Sequence, residues 1–275
     1  MRLTGTRPLQ HRELLANLTL KQLRSTYKKS VLGFGWSMVN PLVTILVYAA
    51  VFSLILPGRA SVGDPSGLDS YGLFLAAGLL PWQFTSTAVT AQSSSIVSNQ
   101  ALVQKVYLPR WVFPAAAVLS SAVEFLIEML VFLALLTFVW QTTALVWLPL
   151  LLVVMALHLG FLFGLGLLLS PLNVAYRDIG HLVGLVTKIW FWVTPIIYPL
   201  QLIIDQEATV LGIDVETLYR YNPMLWFIEA YRALTYDLRS PSLNAFVVMT
   251  LCAAGALLIG GLVFRRNSPY LAERL

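Results

Sequence analysis

Of 275 residues, 58% are hydrophobic and 11% are charged, against about 25% charged in soluble domains. Ser30–Gly58, Ser70–Gln104, Met129–Tyr176 and Ser240–Phe264 contain no charge at all. A charge at mid-bilayer costs about 3 kcal/mol, so these stretches exclude an ordinary soluble domain and indicate an integral membrane protein.

Residues 10–30 read as an amphipathic helix on the membrane surface. Leu20, Leu23 and Tyr27 share one face, and Lys21, Arg24 and Lys28 share the adjacent one. Such a helix lies in the interface with its cations toward anionic head groups. The same cations also read as a topogenic cluster without substrate contact. Residues 1–33 are basic and polar, so no cleavable signal peptide is visible.

Six transmembrane spans follow in a domain covering 34–275, at about 35–57, 72–96, 112–139, 145–170, 182–200 and 243–264. The second is the least apolar. Pro195 and Pro199 interrupt the fifth. The connector 201–241 is long and predicts short helices on the outer interface. The expected class is therefore all-α and polytopic, with an interfacial N-terminal helix and short outer-face helices between spans five and six.

Charge orients this topology. The side carrying both termini holds thirteen cations against three acids, and the opposite side four against eight. The positive-inside rule puts both termini in the cytoplasm. The net charge of +5 is then topological, and a nucleic-acid partner is not expected.

Catalytic motifs are scarce. No GxxxxGK[ST] is present, so ATP hydrolysis by a P-loop is not expected. His11, His158 and His181 are far apart, Asp214 and Glu216 form a lone acidic pair, and no metal site is expected. His158 is expected to bond a neighbouring helix. Gly160–Gly164 and Gly180–Gly184 have the GxxxG spacing of close helix contacts. Glu124 and Glu128 lie on one face of span three as intramembrane ionisable groups. They read either as functional or as a polar clasp, with Lys188 as a candidate partner. Ser86, Thr90 and Ser94 form a hydroxyl stripe on span two, open to two readings: a polar path or small-residue packing.

Six segments occur in order: YKKSVLGFGWSMVNPL (Tyr27–Leu42), GLLPWQF (Gly78–Phe84), SNQALVQKVYLP (Ser98–Pro109), NVAYRDI (Asn173–Ile179), TPIIYP (Thr194–Pro199) and NPMLWFIEAYR (Asn222–Arg232). Together they resemble the membrane-spanning permease subunit of ABC exporters for O-antigen, teichoic acid, capsule and galactan. The resemblance implies a six-span homodimer in a bacterial cytoplasmic membrane, with two copies of a separate ATPase. ATP and Mg would bind in that partner, and this chain would carry no cofactor and no catalytic residue.

It also implies roles. Gln100, Leu102, Val103, Lys105 and Val106, with Asn173, Arg177 and Asp178, would form the ATPase-coupling elements. The N-terminal helix would be a gate helix, and 201–241 would cap the exit. The cargo would be a glycan on polyprenyl diphosphate, its head group met by Arg24, Lys28 and Lys29. Trp190, Trp192, Tyr198, Ser86 and Thr90 are candidates for the glycan path, because apolar sugar faces stack on rings. Export of a small lipid or drug is the alternative within transport. An integral-membrane transferase acting on polyprenyl-linked sugars is the alternative outside it.

Overall fold

The computed structural model describes residues 8–26, 62–106, 108–204, 209–210, 213–271 and 273–275, with single positions between 35 and 50. Apart from those positions, the predicted first span lies outside the described residues. The predicted N-terminal helix is α1, Pro8–Thr26. Predicted spans two and three fall on α2, Tyr71–Ser98, and α4, Val112–Phe138, with the short α3, Gln100–Lys105, between them. Span four is a 3-10 turn, Ala144–Trp147, running into α5, Leu148–Ala175. The last span is α10, Leu243–Asn267.

Three of these helical stretches, Val112–Phe138, Ala144–Ala175 and Leu243–Tyr270, are long and apolar enough to cross a membrane. The 28 residues of α2 suffice in length, but its hydroxyls dilute its apolar character. Helix α6, Ile179–Val193, has 15 residues. At 1.5 Å per residue it reaches roughly 22 Å, short of a hydrocarbon core of about 30 Å. It ends two residues before Pro195, as expected, because proline lacks the donor that a further turn requires and disfavours helical backbone in the residue before it.

Between α6 and α10 come α7, Gln201–Ile204; a minimal hairpin of Thr209–Val210 against Ile213–Asp214; α8, Val215–Arg220; α9, Pro223–Arg232; and a π turn, Ala233–Asp237. The segment forms short helices as expected; α8 has no buried residue, whereas α9 lies in the core. Met224, Phe227, Ile228 and Tyr231 of α9 are fully buried, and α9 packs on α2, α5 and α10. The two charges of α9, Glu229 and Arg232, pair with each other, which lets an otherwise apolar helix enter the core. Asn222 starts it, its side-chain oxygen accepting from the Met224 amide at 3.0 Å ahead of Pro223.

Helix α2 is the centre of the bundle and touches α4, α5, α6 and α9. Phe84 stacks on Phe125 of α4 with centroids 4.6 Å apart. Helices α5 and α10 cross through the Gly160–Gly164 segment. A Cβ on Gly164 would lie 2.3 Å from the Ala256 carbonyl carbon, and one on Gly260 would lie 2.0 Å from the Gly164 oxygen. The other GxxxG pair makes no such crossing: a Cβ on Gly184 meets nothing within 4 Å.

Candidate functional site: two ends of the bundle

At one end, Leu18 of α1, Val103 of α3, Val174 of α5, and Phe264 and Leu271 at and beyond the end of α10 share an apolar cluster. Helix α1, the C-terminal segment and both short loops of coupling type therefore meet there. In α3, Val103 is buried and Leu102 half-buried, while Gln100, Lys105 and Val106 are exposed. Asn99 precedes α3, and its side-chain oxygen accepts from Lys21 Nζ at 3.4 Å, linking α1 to α3.

Asn173 is buried. Its amide nitrogen donates to the Ser93 carbonyl at 3.0 Å, and its oxygen accepts from the Gly180 amide at 2.9 Å. The side chain thus pins the turn between α5 and α6 onto α2, and leaves Arg177 and Asp178 exposed at the tip. Within this candidate group, Arg177, Asp178, Gln100, Lys105 and Val106 face outward, whereas Asn173 and Val103 position them from inside.

Arg24 is exposed on α1 and borders a groove with Asn17, Leu20, Lys21 and Ser25. Lys28 and Lys29 lie outside the described residues. On α2, Thr90 and Ser94 are exposed and Ser86 is half-buried. Ser94 donates to the Thr90 carbonyl at 3.2 Å, so this hydroxyl is satisfied within its own helix while the stripe faces away from the protomer core. Glu124 and Glu128 are half-buried on α4, and Lys188 is exposed on α6. Helix α6 packs on α2 and α5, whereas α4 packs on α1, α2 and α5.

The opposite end is organised around the break after α6. Trp190 is half-buried. Its Nε1 donates to Asn222 Oδ1 at 2.8 Å, and its ring meets Trp82 edge-to-face at 5.7 Å. Asn222 also donates to Thr194 Oγ1 at 2.9 Å. Trp192, on the other side of α6, is 66% exposed. The Tyr198 hydroxyl donates to the Trp192 carbonyl at 3.1 Å and meets the Tyr219 hydroxyl at 2.9 Å. Trp190 therefore serves as an internal brace in the protomer, and Trp192 is the tryptophan free to meet another molecule.

Sequence reasoning gave no role to Arg232, which holds this break. The residue is 3% exposed. Nη1 donates to the Pro195 carbonyl at 2.7 Å and to Glu229 at 3.0 Å, and Nη2 donates to the Ile196 carbonyl at 2.5 Å. The guanidinium lies 3.9 Å over the Phe74 ring. Burial works against its charged form, and the adjacent Glu229 carboxylate works for it. Non-helical backbone deep in a membrane protein needs internal partners for its polar groups, and one planar donor fork supplies two carbonyls at once. A Cβ at Gly78 would stand 2.9 Å from Nη2, so the bare backbone of α2 makes room for the fork. The available signal was an ionisable pair in an otherwise apolar helix.

Two further bonds join α2 to α5. Buried His158 meets Thr85 Oγ1 at 3.0 Å and stacks on Phe227 at 4.6 Å, the helix-to-helix bond expected of it. Gln92 Nε2 donates to the Leu162 carbonyl at 3.1 Å. No cluster of His, Cys, Asp and Glu able to hold a metal occurs among the described residues.

The sequence is similar, along nearly its whole length, to proteins named as polysaccharide export permeases. It is 29% identical over 268 residues to the O-antigen export system permease protein RfbA of Myxococcus xanthus, covering 97% of this chain and 96% of that one. The protein of the same name from Klebsiella pneumoniae is 29% identical over 265 residues, covering 96% and 95%. The polysialic acid transport protein KpsM of Escherichia coli is 24% identical over 263 residues, covering 90% and 91%. A family model described as ABC-2 type transporter matches residues 13–236, most of the chain, and the chain belongs to that family of membrane transport proteins.

Proposed function

We propose that this chain is the permease subunit of a bacterial exporter of polyprenyl-diphosphate-linked polysaccharide. It works as a six-span homodimer with both termini in the cytoplasm, driven by two copies of a separate ATPase. The observation that carries this reading is end-to-end similarity to O-antigen export permeases, with 96–97% of the chain aligned. The exposed tips of the two loops at the end shared by α1 and the C-terminal segment supply the ATPase contact through Lys105, Arg177 and Asp178. Arg24, with Lys28 and Lys29 beyond the end of α1, meets the diphosphate. Exposed Trp192 and the Thr90 side of α2 contribute to the glycan path when two protomers pair.

The test is reconstitution with the partner ATPase in vesicles loaded with fluorescent lipid-linked glycan. ATP-dependent movement of that glycan across the bilayer is expected, along with no ATPase activity from this chain alone. Movement of a small lipid or drug without movement of the glycan would overturn the reading.

A further inference from the structure

Beside α3, the 108–111 turn and the last turn of α10 border an open cavity of about 880 Å³. Its character is mixed. Lys105, Arg110 and Arg265 line it together with apolar groups that include Leu108, Trp111 and Phe264. No Asp or Glu occurs among its described lining residues. Arg110 is held in place because Nη1 donates to the Ser268 carbonyl beyond α10, so one guanidinium of the site is pre-positioned. Trp111 is 38% exposed at the start of α4, the interfacial position that tryptophan favours at the end of a span.

We propose that this cavity is a binding site for an anionic phospholipid, its phosphate held by Arg110 and Arg265 and its first acyl carbons resting on Leu108, Trp111 and Phe264. Three cations lining one cavity without a carboxylate call for an anion. A soluble phosphate would make no use of the apolar lining. Basic pockets where helices leave the membrane suit anionic head groups, and the volume falls within the range of small-molecule sites. The occupant is resident lipid rather than cargo, because Arg24 and the cations after it lie on a different element. Such a lipid would tie α3, the coupling helix proposed above, to the final span.

The experiment uses the full-length chain in phosphatidylcholine nanodiscs doped with phosphatidylglycerol, with retained lipid read by native mass spectrometry. The proposal requires retained phosphatidylglycerol that inorganic phosphate does not displace. With about fivefold affinity per cation near the surface, Arg265→Gln should weaken retention about fivefold. Arg110→Gln with Arg265→Gln should weaken it about 30-fold. The single variant leaves the Arg110 brace intact, so its result does not depend on the double variant folding. Arg266→Gln, next in sequence but outside the lining, should change nothing. An equal loss in Arg266→Gln would reduce the effect to general positive charge and overturn the site. Displacement of phosphatidylglycerol by equimolar polyprenyl phosphate would overturn it too, by making this a cargo site. No outcome depends on which glycan is exported, so this inference can fail while the export reading stands.

Discussion

Replacing Arg232 with alanine should be among the most damaging single changes in the chain. The guanidinium makes two bonds to the carbonyls of Pro195 and Ile196, one to Glu229, and a stacking contact with Phe74. A hydrogen bond from a charged donor contributes about 1.5–3 kcal/mol, and desolvated cation–π contact about 2 kcal/mol. The bare sum overstates the loss, since the charge was buried at a cost. Each of the two buried carbonyls left without a donor costs about 1–3 kcal/mol, and about 4 kcal/mol is expected here. Lysine keeps the charge but cannot fork to both carbonyls, so Arg232→Lys should lose about half as much.

Gly78 provides the sharper test. Its missing Cβ would sit 2.9 Å from Nη2 and 3.4 Å from Cζ, against a side chain anchored by three hydrogen bonds. Overpacking costs about 1–3 kcal/mol, and alanine returns about 1 kcal/mol in a helix. Gly78→Ala should therefore be neutral to destabilising in the parent and stabilising once Arg232 is alanine, with a coupling of about 1–3 kcal/mol. Thermal unfolding of the parent, both single variants and the double variant in detergent closes the cycle. Identical effects of Gly78→Ala in both backgrounds would refute the clamp.

Asn173→Ala should leave insertion intact but loosen the Arg177–Asp178 tip, lowering ATPase stimulation by transport cargo several-fold; unchanged coupling would show that the tip is held otherwise. Gly164→Leu forces α5 off α10 and should abolish a monodisperse preparation on size exclusion, while Gly184→Ala, facing open space, should purify like the parent. Trp190→Phe should cost about 1 kcal/mol in unfolding through the lost bond to Asn222, whereas Trp192→Ala should leave stability unchanged and slow export. Burial raises the Asp237 pKa, only partly offset by Arg239; a raised folded-state pKa contributes stability at low pH that is lost as pH rises through it. Asp237→Asn should therefore gain melting temperature over the parent as pH climbs above the usual carboxylate range, and a pH-independent difference would contradict this.

Helix positions were legible because charge-free runs and Pro195 leave few alternatives, as α4, α5 and the end of α6 illustrate. The burial of α9 was not foreseen. Its flanks, with Asp214, Glu216 and Arg220, look like surface, and the apolar sequence between them suits an interface as well as a core. Asn173 was singled out from the resemblance as a coupling residue, yet its bonds to Ser93 and Gly180 depend on a tertiary approach that spacing does not encode. Trp190 and Trp192 could be separated onto opposite sides of a helix by arithmetic. Which side meets Asn222 required the fold.

Helix α2 joins the two ends physically. Near its last turns, Ser93 receives the Asn173 bond, and Asn99 just beyond receives Lys21. Near its first turns, Gly78 seats Arg232 and Trp82 packs on Trp190 and Phe191. Its 28 residues span roughly 42 Å at 1.5 Å per residue. Between those ends, Gln92 and Thr85 bond α2 sideways to α5, so the helix cannot slide independently of its neighbour. A tilt imposed at the loop pinned by Asn173 must then move α2 and α5 together. The part least able to resist it is the non-helical backbone after α6, held by side chains of Arg232, Asn222 and Tyr71 rather than by a continuous ladder of backbone bonds. A rigid paired shaft with a compliant joint at one end concentrates displacement at the joint, and in this chain the joint is the Pro195–Ile196 backbone gripped by Arg232.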